Sequence, residues 1–219
     1  MLRLLHLLRR KPLTDTMPGV NSFLVVGLGN IGDEYEGTRH NMGFMVLDAF
    51  AKASNAVFSP GRYGDTAEVS LKGRKITLLK PSTYMNLSGN AVRYWMTRLG
   101  VPADRILIIC DDLNIPFGTL RMRKKGSDGG HNGLKNIQET IGTQDYCRIR
   151  AGIGNEFHRG GQIDFVLGKL SEEQQAAMPE LCERAGKGIR DFVLAGPDIA
   201  MNSLNSSAPK KSEDLSHNQ

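Results

Sequence analysis

Apolar and polar positions along the 219-residue chain alternate in two rhythms. Residues 23–28, FLVVGL, form an apolar run that predicts a first strand. In "NMGFMVLDAFAKAS" the apolar residues Phe44, Leu47 and Ala51 recur at helical spacing. "AEVSLKGRKITLLK" alternates on either side of Lys72 and Gly73, which predicts a hairpin. "SGNAVRYWMTRLG" reads as a second helix ending at Gly100, and "RILIIC" as a strand buried on both faces. "TLRMRK" and "CRIRAGIG" predict two more strands, separated by the helix "NGLKNIQETIG". Ser171 with Gln174 makes a capping box that opens a long helix running to about residue 194. Alternating helices and strands with one antiparallel hairpin predict an α/β fold: a single three-layer domain with a mixed central sheet and no internal repeat.

The first strand runs into GLGNIG, which satisfies the GxGxxG pattern of a dinucleotide-binding loop. That fingerprint works only where the glycines lead straight into a helix, with an acidic residue about 20 positions on. Here DEYEGTRH follows, and no apolar period resumes before Met42. The strand is therefore expected to open into a polar loop with another purpose.

Composition narrows the class further. The formal charge is +5 with a pI near 9.2, a modest basic excess that fits an anionic partner without demanding one. Cys110, Cys147 and Cys182 are odd in number and lack CxxC spacing, so neither a disulfide framework nor a zinc site is signalled, and a reducing compartment follows. No apolar run approaches the ~18 residues that span a bilayer, which speaks against an integral membrane protein. The opening MLRLLHLLRRKPLTDTMPGV is basic and Leu-rich; a targeting-like segment and a misassigned start ahead of Met17 both account for it. Residues 1–20 are accordingly set aside as an extension, 21–203 are taken as the domain, and 204–219 as a disordered polar tail.

Outside those tails the histidines are His40, His131 and His158. His40 lies in the polar loop beyond the first strand, where a solvated loop histidine is the ordinary meaning. Asp111 and Asp112 follow "RILIIC" at the carboxyl end of a buried strand, where open α/β sheets place their crevices. An Asp there also suits the magnesium site of a nucleotide hydrolase, but that needs a GxxxxGK(S/T) phosphate loop, which the sequence lacks. Asn30, Asn41, Asn86, Asn132 and Asn155 fall in loops or at element starts, common places for turn residues. Were these loops to converge, their neutral amides would offer donors and acceptors suited to a peptide-like substrate. Hydrolysis of a carbonyl compound by a His40-activated water, with Asp111 orienting the ring, is the chemistry suggested. Arg121, Arg123, Lys124, Lys125, Arg148 and Arg150 are ordinarily a solvated strand face, or else a phosphate-tracking surface beside the crevice.

Together, "VVGLGNIGDEYEGTRHNMGF", "KPSTYMNLSGNAV", "IICDDLNIPFGTLRMRKKGSDGGHNGLKNI", "CRIRAGIG" and "FVLGKL" resemble, in order and spacing, the bacterial-type peptidyl-tRNA hydrolases. The resemblance spans about residues 23–202. It implies a cytoplasmic, monomeric enzyme that cleaves the ester between a stalled peptide and the terminal ribose of tRNA, with no metal or organic cofactor. By resemblance His40 is the general base and Asp111 its hydrogen-bond partner. Asn30, Asn86 and Asn132 hold the peptide main chain and the attacking water. Tyr35 stands at the entrance near the terminal nucleotide, Tyr84 and His131 complete the substrate-binding set, and Arg123 and Arg150 meet the tRNA 5′-phosphate region. The same fold also resembles a plastid splicing factor, so a non-catalytic RNA-binding protein is the rival reading. Two departures stand out: Ile31 occupies a position where many relatives carry Pro, and Asp128 places a negative charge beside the proposed RNA surface.

Overall fold

A computed structural model describes residues 21–206. The first strand, β1 (Ser22–Gly27), is followed by the expected polar loop, which winds into two short 3₁₀ turns, Asp33–Tyr35 and Arg39–Asn41. The second turn feeds α1 (Met42–Ala53). Next come β2 (Ser59–Gly61), β3 (Gly64–Leu71) and β4 (Arg74–Pro81). Lys72 and Gly73 both take positive φ, 47° and 79°, as a two-residue hairpin turn with its own right-handed twist requires. A 3₁₀ turn, Met85–Leu87, precedes α2 (Ser88–Leu99), which Gly100 ends in the left-handed conformation. The chain continues through β5 (Ile106–Asp112), β6 (Leu120–Arg123), α3 (Asn132–Ile141) and β7 (Cys147–Gly152). It closes with α4 (Gln162–Leu167), α5 (Glu172–Ala195) and α6 (Pro197–Ser206).

The seven-stranded sheet has the order β2-β3-β4-β1-β5-β7-β6. β4, β1, β5 and β7 run parallel, and antiparallel strands close both edges. Because side chains alternate along a strand, Val25, Leu78, Leu107 and Ile149 pack beneath α1 and α5, while Leu24, Val26, Leu79, Ile106 and Ile108 pack beneath α2 and α3. These are the three layers predicted. The Ser171 capping box is present with both of its hydrogen bonds, and α5 runs one residue past the expected end.

Three elements were not anticipated. β2 is only three residues long, exposed, and built from Ser, Pro and Gly, the composition of a turn. α4 has six residues, too few for a helical period to declare itself. α6 corrects the boundary placed at 203, since the helix continues to Ser206 with Leu204 buried and Asn205 paired to the main chain of Met122 through both amide atoms. The rest of the expected tail and the extension over 1–20 lie outside the described residues.

Candidate active site

The glycines of GLGNIG bring a helix onto a strand. A Cβ built on Gly27 would lie 2.3 Å from the Gly43 carbonyl oxygen, and one on Gly43 would lie 2.5 Å from the Ile109 oxygen. A Cβ on Gly29 would meet the Phe44 ring at 2.7 Å. Only glycines allow α1 to approach the ends of β1 and β5 this closely. The approach sets the turn that carries His40 over the carboxyl end of β5. Asn41, buried just after His40, donates through Nδ2 to the Asn30 carbonyl (2.9 Å) and accepts through Oδ1 from the Asn30 amide (2.8 Å). The loop is thereby closed on itself, with Asn30 and His40 held in fixed relation.

Asp111 ends the apolar run of β5, and its side chain is only 4% exposed. His40 donates to it through Nδ1, 2.9 and 3.1 Å from the two carboxylate oxygens. His131 approaches the same carboxylate through Nε2 at 3.1 Å. The tautomer of His131 follows from its other nitrogen. Nδ1 accepts from the main-chain amides of Gly133 and Leu134 at the start of α3, so the ring proton is on Nε2 and is donated to Asp111. The carboxylate thus receives two imidazole donors, and His40 keeps Nε2 as an acceptor with no protein partner among the described residues. Burial alone would push the Asp111 carboxyl up, but His131 and His40 outweigh it and hold the group well below the usual carboxylate range. For His40, burial pulls the pKa down, while the hydrogen bond and charge of Asp111 pull harder the other way, leaving it above 6.5.

One ligand atom each from His40, Asp111 and His131 could be gathered within 4.8 Å, a spacing also suited to a metal ion. The proton positions argue against it. Placing His131 Nε2 on a metal would force the proton to Nδ1, directly against the two helix amides that it now accepts from.

His40, Asp111, His131 and Asn132 line a small cleft of about 110 Å³ with Arg150 and, from α4, Gln162, Ile163 and Val166. Asn86 lies exposed in the 3₁₀ turn beyond β4, next to β1 in the sheet, and Asn30 lies beyond β1 itself; both amides sit at the carboxyl ends of adjacent strands, and neither lines the cleft itself. The Met85 sulfur would lie 2.7 Å from a Cβ on Gly133, and the Gly89 amide donates to Asn136 Oδ1 at 2.8 Å, which couples the Asn86 turn to the start of α3. Tyr35 is half-buried in the loop before His40, and Tyr84 is 79% exposed. His158 and Asn155 are exposed in the loop before α4 and do not line this cleft. A larger cavity of about 820 Å³ between α1 and α5 contains no histidine.

The basic residues divide in two. Arg121, Arg123 and Lys125 are exposed and line a second cleft of about 470 Å³ that shares Asp112, Gly129 and Arg150 with the first. Arg148 corrects the expectation of a solvated strand face. It is fully buried beneath Gly126 and Ser127, donates to their carbonyls and to those of Gln144 and Tyr146, and stacks 4.2 Å from the Tyr146 ring. Arg150 pairs with Asp112 (2.8 Å) and donates to the Ser127 carbonyl. Asp128 bends the glycine-rich loop by accepting from the Gly130 amide at 2.8 Å.

Arg39 is a site residue that the sequence did not single out. Its guanidinium lies 4.4 Å over the Phe165 ring and donates to the carbonyl of Lys169 and the side chain of Gln174. It fastens α4 next to His40. No local pattern signals this, because the partners are more than 120 positions away in sequence.

A model of the family described as peptidyl-tRNA hydrolase matches residues 24–213. The chain belongs to the peptidyl-tRNA hydrolase family. A peptidyl-tRNA hydrolase of Phocaeicola vulgatus is 63% identical over 183 residues, covering 84% of this chain and 98% of that protein. One of Bacteroides fragilis is 61% identical with the same coverage. Among solved structures, the peptidyl-tRNA hydrolase of Acinetobacter baumannii matches with a TM-score of 0.80 and 33% identity, over 86% of this chain and 96% of that one. This peptidyl-tRNA hydrolase family member therefore matches its relatives over nearly their whole length and shares the α/β fold of the solved one.

Proposed function

We propose that this chain hydrolyses the ester joining a peptide to the terminal ribose of tRNA, acting as a monomer in the cytoplasm and returning tRNA from stalled or aborted translation. The observation that carries the mechanism is the His40–Asp111 pair, which leaves Nε2 of His40 as a free acceptor at the cleft. A water held there gives its proton to Nε2 as its oxygen attacks the ester carbonyl. The proton then passes to the departing ribose oxygen as the carbon–oxygen bond breaks, yielding a free peptide and tRNA with its hydroxyl restored. Asn132 holds the water, Asn30 and Asn86 hold the peptide main chain, and Tyr35 and Tyr84 flank the entrance. All these groups come from one chain, so a monomer is sufficient.

Measuring peptide release from N-acetylaminoacyl-tRNA and from the unacetylated aminoacyl-tRNA tests this assignment. The unmodified form carries a cationic amine and lacks the carbonyl that the amides would meet. Each partner left unmatched once bound substrate covers it costs about 1 to 3 kcal/mol, so the acetylated form should be cleaved roughly a hundredfold faster. Equal rates would remove Asn30 and Asn86 from peptide recognition.

Arg123 is proposed to contact tRNA phosphate from the basic cleft, with Arg150 shaping the adjoining rim. Arg123→Ala should raise KM for peptidyl-tRNA and flatten its salt dependence by about one unit of slope, since one counterion fewer is released. A small ester without the tRNA body should be unaffected. Arg150→Ala should impair both substrates, because its ion pair and its bond to Ser127 hold the glycine-rich loop. A loss confined to the tRNA substrate in Arg150→Ala would reassign it to phosphate binding alone.

A further inference from the structure

On the opposite side of the cleft from the basic strands, the β2–β3 turn folds down onto α2. Trp95 Nε1 donates to the Arg62 carbonyl at 2.9 Å, and a Cβ on Gly61 would lie 3.2 Å from the Trp95 ring. Tyr63 meets Tyr94 edge-on with centroids 5.5 Å apart, and Tyr94 meets Trp95 in the same way at 5.5 Å. The Arg62 guanidinium lies 5.3 and 5.4 Å from the Tyr63 and Tyr94 rings, and that of Arg98 lies 5.8 Å from Trp95. None of Arg62, Arg93 and Arg98 has a carboxylate partner among the described residues. Tyr63 holds φ at 64°, an unfavourable conformation for a bulky aromatic residue.

This patch lies at the same end of the strands as the candidate site. β3 begins where β4 ends, with Gly64 opposite Pro81, so Tyr63 sits at the carboxyl end of the parallel strands, as His40 and Asp111 do. The Ser82 amide donates to the Tyr63 carbonyl at 2.9 Å, tying the turn to the segment that carries Tyr84 and Asn86. A substrate whose ester lies at His40 must send its two halves in different directions. The exposed basic cleft is on the β7–β6 side, and the aromatic patch is on the β4–β3–β2 side, beyond Asn86.

We propose that the ring-and-arginine patch of Arg62, Tyr63, Tyr94 and Trp95 binds the peptide half of the substrate beyond its first residues, favouring apolar and acidic side chains. The proposal rests on the reading of Asn30 and Asn86 as peptide-holding amides. From β1 to β3 is two strand spacings, about 10 Å, or roughly three residues of extended peptide. Rings receive apolar and aromatic side chains, and guanidinium groups with no carboxylate partner among the described residues donate to carboxylates.

The test uses two substrates on the same tRNA, one with a single N-acetylated residue and one with a five-residue N-acetylated peptide carrying Phe and Glu at its outer positions. The long substrate should show the lower KM with the unaltered chain. Tyr94→Ala should raise KM for the long substrate by about three- to tenfold, the usual worth of an aromatic contact, and leave the short one unchanged. Because Tyr94 is half-buried, Arg62→Ser at the exposed turn serves as the second variant and should shift KM in the same direction. Equal KM for both substrates with the unaltered chain would overturn the proposal while leaving the hydrolase intact. So would equal loss on both substrates in Arg62→Ser, or weakened binding of deacylated tRNA, which would assign the patch to RNA. Failure to cleave either substrate would remove the hydrolase reading and this proposal with it.

Discussion

His40→Ala should lower kcat for peptidyl-tRNA hydrolysis by about two to four orders of magnitude, the usual contribution of a general base. The side chain is 14% exposed and stands at the rim of the cleft, so its loss should spare the fold. Residual rate would come from the groups that position ester and water. In the unaltered chain, proton uptake at Nε2 removes the base. Asp111 holds the His40 pKa above 6.5, so kcat/KM should fall as pH drops through a value on the neutral side of an ordinary histidine. A His40→Ala variant with near-normal turnover, or an unaltered chain with no acid limb, would remove His40 from the chemistry.

Asp111→Asn should be about as damaging, also at about two to four orders of magnitude, for a reason that lies in His131. Both imidazoles meet the same carboxylate oxygen, at 2.9 and 3.1 Å, and His40 also meets the other oxygen at 3.1 Å; an amide puts an NH₂ donor in place of one of those oxygens. His131 cannot adapt, because its Nδ1 is committed to the Gly133 and Leu134 amides and its Nε2 must donate. The Asn oxygen therefore keeps the place that His131 meets, and the NH₂ takes the place of the second oxygen, donor against donor with the Nδ1 proton of His40. That turns His40 into the tautomer with its proton on Nε2, where the attacking water should have met a lone pair. Losing the negative charge also lowers the His40 pKa, so whatever activity remains should persist to lower pH. A kinetic pH profile with an unmoved acid limb would show that Asp111 does not govern His40.

The parallel core was readable because strands buried on both faces carry unbroken apolar runs, as in β1 and β5, and because Lys72–Gly73 is a turn that the backbone can form in few ways. Elements that rest on distant partners were not readable. α4 depends on Arg39 and the end of α6 on Asn205 reaching the edge strand, while β2 is hidden by its turn-like Ser-Pro-Gly composition. The site was legible as separate residues in strand-end loops, and the resemblance supplied their roles. Their pairing was not legible, since His40 and Asp111 are 71 positions apart. Arg148 misled for a physical reason: a charged residue in an alternating strand ordinarily faces water, and here the loop carbonyls of Gly126, Ser127 and Gln144 take the place of that water.

The bond between Asn205 and Met122 bears on what the rim of the sheet offers to other chains. β6 is the last strand of the sheet, and an open strand edge is a template for any other chain with free amides and carbonyls. Asn205 covers that edge by occupying both the amide and the carbonyl of Met122, at 2.8 and 3.2 Å. Flanking arginines and lysines then present repelling charge along the same border. A chain ending at residue 203 would keep every group of the cleft yet lose this cover, exposing backbone between the exposed Arg121 and Arg123. Its weakness would appear as intermolecular β-pairing rather than as lost chemistry.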